Sequence, residues 1–320
     1  MYNSQRREFL KKTIGIIGLS MFYQSAFAEV SNSGNTINVG YLPITDHLIL
    51  PVSHYLDNKK YKNFSINPIL CQSWDDMLLK FDMGILQAAF MLSPLAINKA
   101  QSGYPLKCIL YGHTDGSVLA VQKSINSVKD LQNKIIGIPH EKSTHSVLLY
   151  KYLKDNNIDM KTYLKLDKVP PPLIVKHLKA GMINGYIVAE PWGMVGIDED
   201  VVKILEYSKN IISGHVCCIL VVKQNLIDEH LKELKEWVKS LQNAGRFIHA
   251  NIDMAAKIQE PYMKHIPIEI AAIVQKKIIS YTSLEPEKAK LKTIYDLAVE
   301  SEILKKGFEI ESFIDNRFAI

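Results

Sequence analysis

The chain lacks most of the features by which a sequence declares its chemistry. Only four cysteines occur, Cys71, Cys108, Cys217 and Cys218, and none has the spacing of a zinc-ligand set. Disulfides are therefore not the main support of the fold. Adjacent cysteines such as Cys217 and Cys218 rarely bond each other, because the linkage is strained. Free, buried thiols are expected. No GxSxG, HExxH or P-loop motif occurs, which removes the commonest hydrolase, metalloprotease and nucleotide-binding readings. A strong charge of either sign is missing too: 38 Lys and Arg stand against 33 Asp and Glu. No basic platform interleaved with aromatics appears, so no nucleic-acid partner is implied. Beyond the first thirty or so residues, no apolar run is long enough to span a bilayer, which takes about 20 residues.

The N-terminus is different in kind. Arg6-Arg7 is followed by Phe9 and Leu10, an apolar stretch covers Thr13 to Tyr23, and Ala26-Phe27-Ala28 precedes Glu29. This order predicts a twin-arginine export signal over residues 1–28, cleaved near Ala28. The apolar stretch is short for a membrane anchor. The mature chain is expected to be a soluble periplasmic protein. The signal carries four basic residues (Arg6, Arg7, Lys11 and Lys12) and one acid (Glu8). Without that excess of three, the formal net charge of +5 falls to +2.

The composition is that of an ordinary globular protein, 47% hydrophobic and 22% charged. Residues 29–35 read as a polar linker. Short apolar strands are then expected at Ile37–Tyr41, Ser65–Leu70, Ala88–Leu92 and Leu106–Tyr111, with helices between them. Ser73 is placed to cap a helix opening on Trp74-Asp75-Asp76, whose acids suit the helix dipole. A strand at Ser117–Gln122 leads to a second unit with strands at Ile135–Ile138, Tyr163–Lys168, Tyr186–Ala189 and Val201–Leu205. Ser143 or Thr144 caps a helix running to about Asn156. A long strand, His215–Val222, returns the chain to the first unit, and only helices are expected after it, at about 228–250, 253–262, 267–280 and 286–300. This alternation predicts an α/β protein of two lobes, each a mostly parallel sheet flanked by helices. The first lobe takes residues 36–122 and 214–320, and the second takes 123–213.

The best-punctuated stretch is residues 169–192. Three prolines, Pro170 to Pro172, open a helix where missing N–H groups cost nothing. Gly181 is placed to end it. A short strand then stops at Glu190-Pro191-Trp192. In open α/β sheets ligands bind beyond the carboxyl ends of strands. Glu190 and Trp192 therefore become candidate ligand contacts. Thr45, Asp46 and Ser93 follow other strands in the same way, and Ser143 sits where a helix N-terminus offers free N–H groups.

An ordered set of short motifs runs through residues 37–222: Gly40-Tyr41-Leu42-Pro43, Ser73-Trp74, Met91-Leu92-Ser93-Pro94, Thr144-His145, Val169-Pro170-Pro171-Pro172, Leu178-Lys179-Ala180-Gly181 and Glu190-Pro191-Trp192. Taken together they resemble the substrate-binding proteins of ABC importers of the nitrate/sulfonate/bicarbonate class, and most the nitrate- and bicarbonate-binding branch. The resemblance implies the two-lobed periplasmic binding fold. It implies capture of a small solute, delivery to a permease in the inner membrane, a monomer and no catalysis. It places Trp74, Thr144 and His145 on positions that contact the small anion in that branch. One departure stands out. Nitrate-binding members carry a lysine just before the returning strand, where this chain reads Ile212-Ser213-Gly214-His215. His215 becomes the candidate replacement. Without a fixed cation a buried anion is costly, so bicarbonate, a sulfonate or a neutral or cationic metabolite compete with nitrate. No cofactor is implied, although Asp46 and Glu190 leave room for a co-bound cation such as calcium. Two other functions share the fold: a thiamine-precursor (pyrimidine) binding protein or a related biosynthetic enzyme, of which Cys217-Cys218 is a faint echo, and a sensory binding protein serving a membrane receptor.

Overall fold

The computed structural model describes residues 36–263, 273–274 and 276–319. The expected signal and linker lie outside the described residues, as does half of the helix expected at 267–280. The compact unit that holds both lobes runs from Ile37 to Ile320.

The first sheet is made of β1 (Thr36–Tyr41), β2 (Ser65–Leu70), β3 (Ala88–Leu92), β4 (Leu106–Tyr111) and β11 (Cys218–Lys223), in the order β2-β1-β3-β11-β4. The second is made of β6 (Ser117–Gln122), β7 (Ile135–Ile138), β8 (Lys165–Lys168), β9 (Gly185–Ala189) and β10 (Val202–Tyr207), in the order β10-β6-β9-β7-β8. β1 runs parallel to β3, and β7 runs parallel to both β8 and β9. β11 is antiparallel to both of its neighbours, and so is β6. Each sheet thus carries one reversed strand, the one by which the chain enters from the other lobe.

Three expectations need correction. Ser117–Gln122 belongs to the second sheet, so the first crossing lies before Ser117 and not at the expected boundary after residue 122. Alternating strand character marks a strand but not the sheet it joins. Second, the chain after β11 is not purely helical: β12 (Ile279–Ser280) pairs antiparallel with β5 (Thr114–Asp115) beside the first crossing. Third, the returning strand begins at Cys218, three residues later than expected.

The helices follow local signals. The Ser73 hydroxyl accepts the Asp76 N–H at 3.1 Å and caps Trp74–Asp82. Ser143 accepts the Ser146 N–H at 3.0 Å and caps Thr144–Asp155. The longest helix, Gln224–Ala250, buries Leu234, Trp237, Val238, Leu241, Ala244 and Ile248 at helical spacing against the first lobe. β3 and β9 are buried on every residue, as strands covered by helices on both faces must be.

Candidate functional site

The two crossings lie side by side. The Gly112 N–H donates to the Cys218 carbonyl at 2.9 Å, and the Asp115 N–H donates to the His215 carbonyl at 3.0 Å. The loop after β1 meets them, bringing Thr45, Asp46 and His47. The loops after β3 and β9 and the start of Thr144–Asp155 close the rest. The result is a sealed polar cluster between two apolar layers: Thr45, Asp46, Ser93, His113, Thr144, His145, Glu190 and His215 are all buried.

Asp46 and His113 are its electrostatic centre. His113 Nε2 lies 3.0 Å from Asp46 Oδ2, with both side chains wholly buried. The same nitrogen lies 3.3 Å from the Cys218 N–H. A protonated Nε2 donates to the carboxylate and leaves that amide contact unmade. Burial alone disfavours the imidazolium, but the charge and hydrogen bond of Asp46 outweigh it and raise His113 to about 10. Burial likewise opposes the Asp46 carboxylate, and His113 reverses that and holds it below the ordinary value. The Cys218 thiol donates to Asp46 Oδ2 at 3.6 Å. Burial, then the neighbouring Cys217 and Asp46, push Cys218 well up. Cys217 moves the other way: its hydrogen bond with Cys218 and the nearby His113 overcome burial and hold it down.

Around this centre each candidate residue has a definite place. Thr45 donates from both its N–H and its hydroxyl to the Glu190 carbonyl, each at 2.8 Å, so it joins the two lobes. Ser93 does not cap the helix it begins: Leu92 takes that position, and the Ser93 hydroxyl contacts the Val216 carbonyl and Thr144 Oγ1, both at 3.3 Å. Thr144 donates to the Cys217 carbonyl at 3.2 Å. His145 Nε2 lies 3.0 Å from the Ser117 hydroxyl, and burial keeps the ring neutral by lowering its pKa. Ser143 is spent on its cap. The Glu190 carboxylate accepts the Met194 N–H at 3.0 Å, so it caps Trp192–Asp198, and burial raises it to about 7. Trp192 is buried, and its carbonyl accepts the Tyr186 hydroxyl at 2.9 Å. His215 Nδ1 donates to the Ile212 carbonyl at 3.0 Å and lies 3.2 Å from Asp115 Oδ1. Trp74 lies in the core with its ring edge-on to His47, the centroids 5.9 Å apart.

Several buried polar atoms have no hydrogen-bond partner within the protein: Asp46 Oδ1, His113 Nδ1, His145 Nδ1, His215 Nε2 and the indole nitrogens of Trp74 and Trp192. An unpaired buried group costs about 1–3 kcal/mol. Others lie elsewhere, on Tyr61, Gln101, His177 and Trp237, but Asp46 Oδ1, His113 Nδ1, His145 Nδ1 and His215 Nε2 belong to the one buried cluster and are available to something other than the protein. Sequence reasoning missed His113 and Ser117 and assigned Cys217 and Cys218 only to the core. The rule that selected Glu190, from the loop beyond a strand's carboxyl end, also reaches His113, two residues after β4.

The model of the NMT1-like family matches residues 32–260. The chain belongs to the NMT1-like family. Among curated relatives, the nitrate import ATP-binding protein NrtC of Synechocystis sp. is 24% identical over 253 residues, 70% of this chain but 37% of that protein. The chain thus spans little more than a third of that relative. Among solved structures, the periplasmic nitrate-binding protein NrtA of Synechocystis PCC 6803 superposes with a TM-score of 0.81 at 14% identity, over 90% of this chain and 88% of that one. A ligand-binding component of an ABC-type import system from Staphylococcus aureus, solved with zinc bound, gives 0.80 at 24% identity, over 89% and 98%. These neighbours share the two-lobed binding-protein fold, and the expected resemblance to the nitrate/sulfonate/bicarbonate class is borne out. Among the described residues, no helix is long and apolar enough to cross a membrane.

Proposed function

We propose that this chain is the exported, non-catalytic solute-binding component of an ABC importer, which captures a small solute between its lobes and hands it to a membrane permease. The observation that carries this reading is the buried polar cluster between the lobes, with its unpaired donors and acceptors. The export signal expected over residues 1–28 and the ABC-import relatives support the periplasmic address and the permease partner.

The charge of the site narrows the solute. The imidazolium of His113 is matched by Asp46. His145 and His47 are held neutral by burial. His215 commits its Nδ1 to the Ile212 carbonyl at 3.0 Å and lies 3.2 Å from Asp115 Oδ1, so it does not stand in the site as the missing lysine would. An isolated inorganic anion such as nitrate would meet no uncompensated positive charge here and would cost several kcal/mol to bury. A neutral solute that offers a donor to Asp46 Oδ1 and acceptors to the indole N–H groups of Trp74 and Trp192 fits better.

A thermal-shift panel tests this. It would cover nitrate, nitrite, bicarbonate with and without calcium, alkanesulfonates, thiamine-precursor pyrimidines and small cationic metabolites. The expected result is a shift with a neutral, polar member that His145→Ala removes without unfolding the protein. A large shift with nitrate alone overturns the charge argument. Tight solute binding that His145→Ala leaves intact overturns the site.

A further inference from the structure

The solute reading leaves one part of the cluster unexplained. Asp46, His113, Cys217 and Cys218 each bring a ligand-type atom to one point, all within 4.8 Å of one another, and all four residues are buried. They come from three separate stretches: the loop after β1, the end of β4 and the start of β11. An ion pair accounts for Asp46 with His113 but not for two thiols turned to the same place. Asp46 Oδ1 and His113 Nδ1 remain without a partner. A pair of neighbouring cysteines in an extended strand would face opposite sides. Here only Cys218 lies in the strand, and that break lets both sulfurs reach one side.

We propose that Asp46, His113, Cys217 and Cys218 form a four-donor site for one thiophilic divalent cation of the zinc class. Two thiolates, an imidazole and a carboxylate are the tetrahedral donor types zinc takes, at about 2.3 Å for sulfur and about 2.0–2.2 Å for nitrogen and oxygen. Those lengths put tetrahedral donors roughly 3.3–3.8 Å apart. Drawing the present set together takes shifts on the order of an ångström. Calcium is the poorer match, because it takes about six to eight oxygen ligands and this set offers one carboxylate.

The backbone that carries the sulfurs is held from outside. The Cys217 carbonyl accepts from the Ser93 N–H at 2.8 Å and the Thr144 hydroxyl at 3.2 Å, and the Cys218 carbonyl accepts from the Gly112 N–H at 2.9 Å. Ser93 and Thr144 thus become orienting residues behind the ligands, of the kind that tune metal sites. Thiolate and neutral imidazole are the ligating forms, so metal binding releases protons and tightens as pH rises. The site rests on donor geometry and not on the transport reading, and it stands whether the ion is cargo or resident.

The test uses the full chain, reduced and stripped with a chelator. It is titrated with Zn2+ against a chromophoric competitor, and with Co2+ as a spectroscopic probe. One ion per chain is expected, with tetrahedral Co2+ bands, a near-ultraviolet sulfur-to-cobalt charge-transfer band and no competition from excess Ca2+. Cys217→Ser and Cys218→Ser should each weaken Zn2+ binding by at least the roughly 10–100-fold that loss of an outer-shell partner costs and diminish the charge-transfer band. Cys71→Ser, which removes a buried thiol elsewhere, should change neither. Circular dichroism checks that the variants fold, and the wild-type Co2+ spectrum decides without them. Co2+ bound with no sulfur band, no saturable Zn2+ binding, or wild-type affinity in both cysteine variants overturns the proposal. A thermal-shift response to an organic solute in the metal-free protein leaves the transport reading standing even then.

Discussion

Glu190 shows how one residue can serve two layers of the structure. Its carboxylate caps a helix inside the second lobe, while its carbonyl receives both Thr45 donors from the first. Burial favours its protonated form and lifts it from an ordinary 4.5 to about 7. Because the folded value lies above the unfolded one, its contribution to stability is complete below about pH 4.5. That contribution is lost as pH rises through about 7. Over this window the loss amounts to roughly 3 kcal/mol at most. Glu190→Gln stays neutral throughout. Denaturant unfolding between pH 4.5 and 8 should therefore show a shallower decline for the variant than for the wild type. Parallel curves would mean that Glu190 ionises freely in the folded protein.

At the scale of elements, the decisive feature is the tight first crossing. Between β5 and β6 the chain turns at Gly116, with φ of +95°. An added Cβ there would lie 2.8 Å from Ile279 Cδ1 and 3.2 Å from Asp46 Oδ1. Backbone and packing both require glycine at this position. Gly116→Ala should destabilise the protein by about 1–3 kcal/mol. It should also weaken ligand binding, because the clash pushes on Asp46 directly. Chemical denaturation beside a ligand titration checks this, and an unchanged midpoint would show that the crossing relaxes freely. Ser117–Gln122 joins the second sheet because this turn sends it there. Nothing in its apolar run encodes that choice. The same limit explains the miss on β12: two residues of strand carry no periodicity, and their pairing to Thr114–Asp115 is purely tertiary.

For the whole molecule, the geometry demands motion. Thr45, Asp46, Ser93, His113, Thr144, His145, Glu190 and His215 are all buried, so under the proposed solute-binding function a solute enters only if the lobes part. The joining contacts at the site include the two bonds from Thr45 to the Glu190 carbonyl and those of Thr144 with Ser93 and the Cys217 carbonyl. Peripheral pairs such as Lys168 with Asp75, at 3.1 Å, are solvent-exposed and worth about 0–1 kcal/mol. Small-angle scattering should show a larger radius without ligand than with it. Thr45→Val, which removes one joining bond, should enlarge the ligand-free radius further. A ligand that binds tightly and leaves the radius unchanged would rule out closure.

The sequence alone determined what local chemistry decides. Serine hydroxyls at Ser73 and Ser143 found their helix N–H groups. Five strands, Ser65–Leu70, Ala88–Leu92, Leu106–Tyr111, Ser117–Gln122 and Ile135–Ile138, have the bounds their apolar runs predict. The ordered motifs from Gly40 to Trp192 pointed to the family. Tertiary structure alone decided what depends on distance through space. It set Asp46 against His113, 67 positions away, and brought two cysteines from the returning strand to the same point. It also turned Glu190 inward as a cap and spent His215 on backbone. Hydrogen bonds and ion pairs of this kind act over a few ångströms, and only the two chain crossings bring those residues within that range.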